Sequence, residues 1–194
     1  VLNTVSVIIP IAPGETAHAN LLDTLASTNA EVIAINTHTR AENLNIGAQK
    51  ATRPYLWFLH ADTTLTAHNI QTLNTALQNA PQHLLYFNLA FDGFAPTKLN
   101  AWLTNLRSHV FGLPYGDQGF CCSKTLFNEV GPYPENTPFG EDLLFIRKLK
   151  RKGYKTRALK STMITSARKY QAKGWVKLSL YRQYQLIKLL RTPL

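Results

Sequence analysis

Tyr55-Leu56-Trp57-Phe58-Leu59 runs directly into His60-Ala61-Asp62-Thr63, and the fold is read outward from this stretch. Five successive apolar residues bounded by polar ones read as a strand buried on both faces, the kind found in a parallel sheet. A carboxylate at the end of such a strand is costly as a lone charge unless a metal or a cation meets it. Upstream, Val5-Ser6-Val7-Ile8-Ile9 is a second continuous β-branched run, bounded by Pro10 and the turn Pro13-Gly14, and Glu31-Val32-Ile33-Ala34-Ile35 is a third. Between and after these lie helical patterns at 16–28 (Leu21, Leu22, Leu25), 41–51 (Leu44, Ala48, Ala51) and 67–79, followed by a strand at 84–91. The β-α-β-α-β-α-β order predicts an α/β fold: an open, mostly parallel, Rossmann-like sheet with helices on both faces.

The second half is less regular. Helices are expected at 99–110, at 124–130 (closed by Gly131-Pro132) and at 141–152 (closed by Gly153), with short strands at 119–122 and near 155–159. A last helix over 175–190 sets Val176, Leu180, Tyr184, Ile187 and Leu190 on one side, with Lys177, Arg182, Lys188 and Arg191 elsewhere. No repeat or linker divides the 194 residues, which are expected to form one domain.

Composition narrows the class. Hydrophobic residues are 45% and charged ones 16%, too apolar for a disordered chain, yet no apolar run is long enough for a membrane span. Val1 to Pro10 lacks a basic start and reads as the first strand rather than a signal peptide. Cys121 and Cys122 are adjacent and have no companion cysteine, so they are expected to be buried strand thiols of a reducing cytoplasm. The net charge of +10 is unevenly spread: residues 1–142 hold all 11 acids and 6 Lys or Arg, a balance of −5, while 143–194 hold 15 Lys or Arg and no acid. That asymmetry suits an anionic partner, although a solvated helix face is the plainer reading. The tail has no recognised nucleic-acid motif, so RNA and DNA are not expected partners.

Ligands of open α/β sheets sit beyond the carboxyl ends of the strands. Three segments end there: 10–15, 36–40 and His60-Ala61-Asp62. Asp62 suits either a cap for the helix at 67–79 or a ligand to a hard dication completed by substrate phosphates. Glu141-Asp142 follows a Pro138-Phe139-Gly140 turn and opens a helix, where acids are favoured by the helix dipole alone. Gly116-Asp117-Gln118-Gly119 is either a plain turn or a loop that lets backbone approach a ligand. The six histidines show no zinc spacing, and His18, His38, His68, His83 and His109 are expected to be surface or packing residues.

Taken in order, several of these segments resemble the family-2 glycosyltransferases: the 5–10 strand; Arg40 with Asn43, Asn45 and Gly47-Ala48; and Phe58-Leu59-His60-Ala61-Asp62-Thr63. Residues 111–119, Gly140-Glu141-Asp142 and Thr165-Ser166-Ala167-Arg168-Lys169-Tyr170 are similar to a bacterial subgroup described as radical-SAM/selenodomain-associated transferases. The resemblance implies a GT-A fold and inverting transfer from a UDP- or GDP-sugar to an acceptor hydroxyl it does not identify. It implies a nucleotide-sugar-binding half at about 1–95 and an acceptor half at about 96–194. Pro10, Ala12 and Glu15 would hold the nucleoside, with Arg40 and Asn45 near base or phosphates and Arg168 near the departing phosphates. His60-Ala61-Asp62 would correspond to the Asp-x-Asp signature, with Asp62 on Mn²⁺ or Mg²⁺. Asp142 would be the catalytic base, and Gly116, Asp117, Gln118 and Glu141 would line the donor-sugar and acceptor pocket.

Two departures stand out: Asn36-Thr37-His38-Thr39 has no acid where relatives grip the base, and His60 replaces the first acid of the metal signature. A nucleotidyltransferase would carry a Gly-rich basic loop at 10–15, which has one glycine and no basic residue. A catalytically silent module that binds membranes or polyanions is the alternative from another class. The last helix either packs its apolar stripe on protein or lies against an anionic membrane surface, the latter making the protein peripheral on the inner face.

Overall fold

Strand side chains alternate between two cores. The computed structural model describes every residue except His38, Ala80, Pro81, Phe94, Pro138 and 192–194, so the Pro138 of the expected turn and the reading of His38 lie outside the described residues. In β1 (Val5–Pro10) and β3 (Tyr55–Phe58), Ile8, Leu56 and Phe58 face one way; Val7, Ile9 and Trp57 face the other. The first set packs under α2 (Arg40–Lys50), α5 (Lys124–Val130) and α6 (Glu141–Arg151); the second packs under α1 (His18–Ala26) and α3 (Ala67–Leu77). Period-2 alternation on a sheet covered on both faces explains why these strands read as unbroken apolar runs.

The sheet also contains β2 (Glu31–Ile35), β4 (Thr63–Thr64), β5 (Leu84–Phe91), β6 (Cys121–Ser123) and β7 (Thr156–Thr165), in the order β2-β1-β3-β6-β5-β7-β4. β1 pairs in parallel with β2 and β3, and β5 with β7, whereas β6 is antiparallel to both β3 and β5, and β4 to β7. The α/β architecture is as expected, and five strands share one direction, but the sheet is mixed. β6 is the short strand expected at 119–122, and its insertion at the centre separates β3 from β5. The basic strand expected near 155–159 continues to Thr165, with a register shift opposite Tyr86 and Asn88. Cys121 and Cys122 are buried free thiols of β6, and burial pushes the Cys122 thiol up to about 12.

The remaining helices are α4 (Thr97–Phe111), α7 (Arg168–Lys173) and α8 (Trp175–Arg191). α8 is held at its C-terminal end by Leu189, which packs on Leu143 and Leu144 of α6. Gly140 has a positive φ of 75°, and a Cβ there would overlap the Leu189 side chain, so this glycine permits both the turn into α6 and the seat of α8. Val176, Leu180, Tyr184, Ile187 and Leu190 are 40–67% exposed, so the stripe does not pack on the protein's own sheet. No helix among the described residues is long and apolar enough to cross a membrane.

Candidate active site

Thr39 caps α2 and exchanges hydrogen bonds with Glu42, which fixes Arg40 as the first residue of the helix at the carboxyl end of the sheet. From there Arg40 Nη1 donates to Glu141 Oε1 and Nη2 donates to His60 Nε2. Since a guanidinium can only donate, His60 Nε2 accepts and carries no proton. Burial, with the Arg40 charge second, holds the His60 imidazole well below its ordinary range and therefore neutral. Burial works against the Arg40 charge, but the carboxylates of Glu141 and Asp142 outweigh it and raise the guanidinium further.

Asp142, on the first turn of α6, accepts from Gly116 N at 2.6 Å through Oδ2 and from Leu143 N at 2.7 Å through Oδ1. Two backbone donors, one to each carboxylate oxygen, fix its orientation. A Cβ on Gly116 would lie 2.8 Å from Arg40 Nη2 and 3.1 Å from Asp142 Oδ2, so a side chain there would have to displace the Arg40 guanidinium. Asp117, one residue on, has a buried Oδ1 with no hydrogen-bond partner, and burial pushes its carboxyl up to about 6 despite the opposing pull of Arg182.

These groups line a cleft of about 410 Å³ roofed by α8, with Lys169 and Arg182 adding cations and Tyr115 and Tyr181 aromatic surface. Arg182 is turned inward, away from the exposed apolar stripe, its Nη1 donating to Tyr170 Oη at 2.7 Å. The spacing 178, 182, 185, 189 puts it on the face of the buried Leu189, a signal present in the sequence. No spacing in the sequence marks Lys169, Tyr115 or Tyr181 as cleft residues.

A second cavity, of about 240 Å³, is lined by Asp62, Asp92 and Arg168 among others. Arg168 Nη2 donates to Glu15 Oε2 and lies 3.8 Å from Asp62 Oδ2. Glu15 also accepts from Ala17 N at 2.9 Å, and this bond, ahead of the Arg168 contribution, is the largest influence lowering its pKa against burial. Asp62 Oδ1 accepts at 3.4 Å from Thr165 Oγ1, which the β4–β7 pairing brings alongside. It is not the cap of α3: Thr66 caps that helix in a reciprocal pair with Asn69. His60 and Lys169 line the larger cavity while Asp62 and Arg168 line the smaller, so two short segments form the wall between them.

Not every candidate residue opens onto these cavities. Asn45 is buried and clasps the 133–135 segment, donating to Tyr133 O at 2.9 Å and Glu135 Oε1 at 2.7 Å and accepting from Tyr133 N. Gln118 is fully buried, accepting from Ser108 Oγ and Tyr115 N and donating to Phe87 O, which ties its turn to α4 and β5. Pro10 ends β1, Ala61 is buried after β3, and Ala12 is exposed, its carbonyl accepting from Glu15 N.

A dication fits beside Asp62 only as a shared ligand. Among the described residues no three His, Cys, Asp or Glu side chains gather to hold a metal unaided. Asp62 offers one weakly engaged carboxylate, so phosphate oxygens would have to complete the shell, an arrangement usual for Mg²⁺.

No family model matches the chain, and no curated protein matches it. Among solved structures it is similar to S. aureus TarS 1-349, with a TM-score of 0.62 and 14% identity over 84% of this chain and 60% of that one. It is also similar to a second S. aureus TarS structure, with a TM-score of 0.56 and 12% identity over 84% of this chain and 35% of that one. The chain thus spans about three fifths of the first and about a third of the second. At these identities the likeness is one of fold alone.

Proposed function

We propose that the protein is an inverting glycosyltransferase that moves a sugar from a nucleoside diphosphate donor to an acceptor hydroxyl, with Asp142 as general base. The observation that carries this reading is the Asp142 carboxylate, oriented by two backbone N–H groups in a cleft at the carboxyl end of the sheet and flanked by Arg40, Lys169 and Arg182. The subgroup resemblance rests on sequence motifs alone, and the likeness to TarS supports the reading at the level of fold.

The acceptor oxygen attacks the anomeric carbon, the bond from that carbon to the diphosphate breaks, and its electron pair leaves with the phosphate. The acceptor's proton passes to Asp142, a role typically worth about 10²–10⁴-fold. On the other side of the shared wall, Arg168 faces the departing phosphates, held by Glu15 so that it need not reorganise as charge develops. Asp62 would hold Mn²⁺ or Mg²⁺, which when bound supplies further neutralisation of the diphosphate. His60, kept neutral beside Arg40, adds no positive charge of its own. The donor would be a UDP- or GDP-sugar, and the acceptor half of the chain would supply most of the cleft, with Arg40 and His60 from the other half.

One set of measurements tests both halves. Asp142→Asn should keep the thermal stabilisation given by UDP or GDP with Mn²⁺ and lose transfer by about 10²-fold or more. Asp62→Asn should abolish the metal-dependent part of that stabilisation. Wild-type protein that is not stabilised by either nucleotide with either metal would sink the reading.

A further inference from the structure

The site described above uses only one side of α8. The other side, and the outward side of the neighbouring α4, carry features that glycosyl transfer does not need. Asn100 of α4 donates to Ser179 Oγ and accepts from Trp175 Nε1, each at 2.8 Å, so the two helices lie against one another along a polar seam. Opposite its buried residues Thr97, Ala101 and Ser108, α4 exposes Leu99, Trp102, Leu103, Leu106 and Val110 by 41–61%. α8 exposes Val176, Leu180, Tyr184 and Ile187 by 50–67%, on the side turned away from the cleft. Nine large apolar side chains on two adjoining helices are more than scattered surface exposure, and such a patch marks an interaction surface.

What surrounds the patch selects its partner. Lys98, Lys173, Lys177, Lys188 and Arg191 are exposed on or beside these helices. Neither helix contains an acid, and none occurs anywhere in 143–194. A second copy of this chain docked on the same face would bring cation against cation without a carboxylate to answer them. A surface that is apolar below and anionic above satisfies both halves of the pattern. Trp102 and Tyr184 have the amphipathic ring chemistry favoured at the headgroup level.

We infer that α4 and α8 together form a docking face that lies on a phospholipid leaflet rich in anionic headgroups, the apolar stripes entering the headgroup boundary and the lysines meeting the lipid charge. The face is independent of the cleft, since its residues point away from Asp142. Its failure therefore leaves the transferase reading intact.

The test is flotation of the full chain with phosphatidylcholine vesicles and with vesicles containing phosphatidylglycerol, at low and high salt, beside a light-scattering mass of the free protein. Wild type should float with the anionic vesicles at low salt and be released by high salt. Lys177→Gln/Lys188→Gln should weaken partitioning by about fivefold for each cation removed. Trp102→Glu/Leu180→Glu should abolish it while keeping the wild-type melting temperature. No binding to anionic vesicles at low salt overturns the inference, as does equal binding to neutral ones. So does a wild-type dimer that Trp102→Glu/Leu180→Glu converts to monomer.

Discussion

Arg40 and Asp117 are the two residues whose charges the cleft depends on for its balance, and each has a measurable signature. Glu141 is 7% exposed at its side chain and its partner Arg40 is 36% exposed. Removing Arg40 leaves a buried carboxylate without its counter-charge. Arg40→Ala should cost about 2 kcal/mol, below the 3–5 kcal/mol of a fully buried pair because the arginine is partly solvated. Arg40→Ala/Glu141→Ala should recover part of that loss in urea unfolding, and a double variant no more stable than the single one would argue against the pairing. Asp117 acts in the opposite sense. Its carboxyl moves from an ordinary 3.8 to about 6 on burial, so the folded chain binds more protons than the unfolded chain between those values. Stability contributed by this group therefore falls as pH rises through that window. Asp117→Asn should be more stable than wild type at pH 7 by about 2 kcal/mol, a gap that closes toward pH 4. Thermal melts across that range decide it, and a gap that stays constant with pH would assign the effect to packing.

At the scale of elements, α8 decides whether the cleft has a roof. Its C-terminal half is seated by Leu189 on α6, and Arg147 Nη1 donates to the Leu189 carbonyl. Leu189→Ala should cost about 2 kcal/mol, at the lower end for a buried leucine because the seat is near the helix end. The loss should be local: amide exchange in 175–191 should quicken while β1 and β3 stay protected. Uniform acceleration throughout the chain would show α8 to be part of the cooperative core. The elements legible in the sequence are those whose burial leaves a long pattern, such as β1, β3 and the helix turns carrying Leu21, Leu25, Leu44 and Leu73. β6 has three residues, too few for a period to establish its direction or place. The last part of β7 hides behind Lys160, Ser161 and Thr162, polar residues whose backbone nonetheless completes the ladder beside β5. The same division holds in the site. Asp62 is conspicuous because a carboxylate ends an apolar strand. Asp142 stands out only through its motif, since any acid at a helix start looks alike. Gln118 and Asn45 read as ligand contacts because a buried amide that clasps backbone has the same residue type as one that meets a substrate.

The whole molecule carries +10, and residues 143–194 hold 15 Lys and Arg and no acid, 13 of the cations in α6, β7, α7 and α8 and the other two, Lys152 and Lys155, between α6 and β7. Self-repulsion on this scale weakens the compact state, and salt screens it over about 10 Å at 0.1 M. Raising sodium chloride from about 10 mM to about 150 mM should therefore lift the melting temperature by about 2–4 °C, the shift that corresponds to roughly 1 kcal/mol in a chain of this size. A melting temperature that falls with salt would mean that the ion pairs of Arg40 and Arg168 outweigh the repulsion. The insertion of β6 between β3 and β5 has a consequence of another kind, in the order in which the chain can assemble. When the first 95 residues have left the ribosome, β1, β2 and β3 can pair, but β3 has an open edge and β5 has no neighbour. Both vacancies are filled by residues 121–123, and β5 gains its second neighbour only with 156–165. Closing the sheet thus waits on contacts between distant parts of the chain, which slows folding and leaves the apolar β3 edge as the place where a nascent molecule is most open to pairing with the wrong strand.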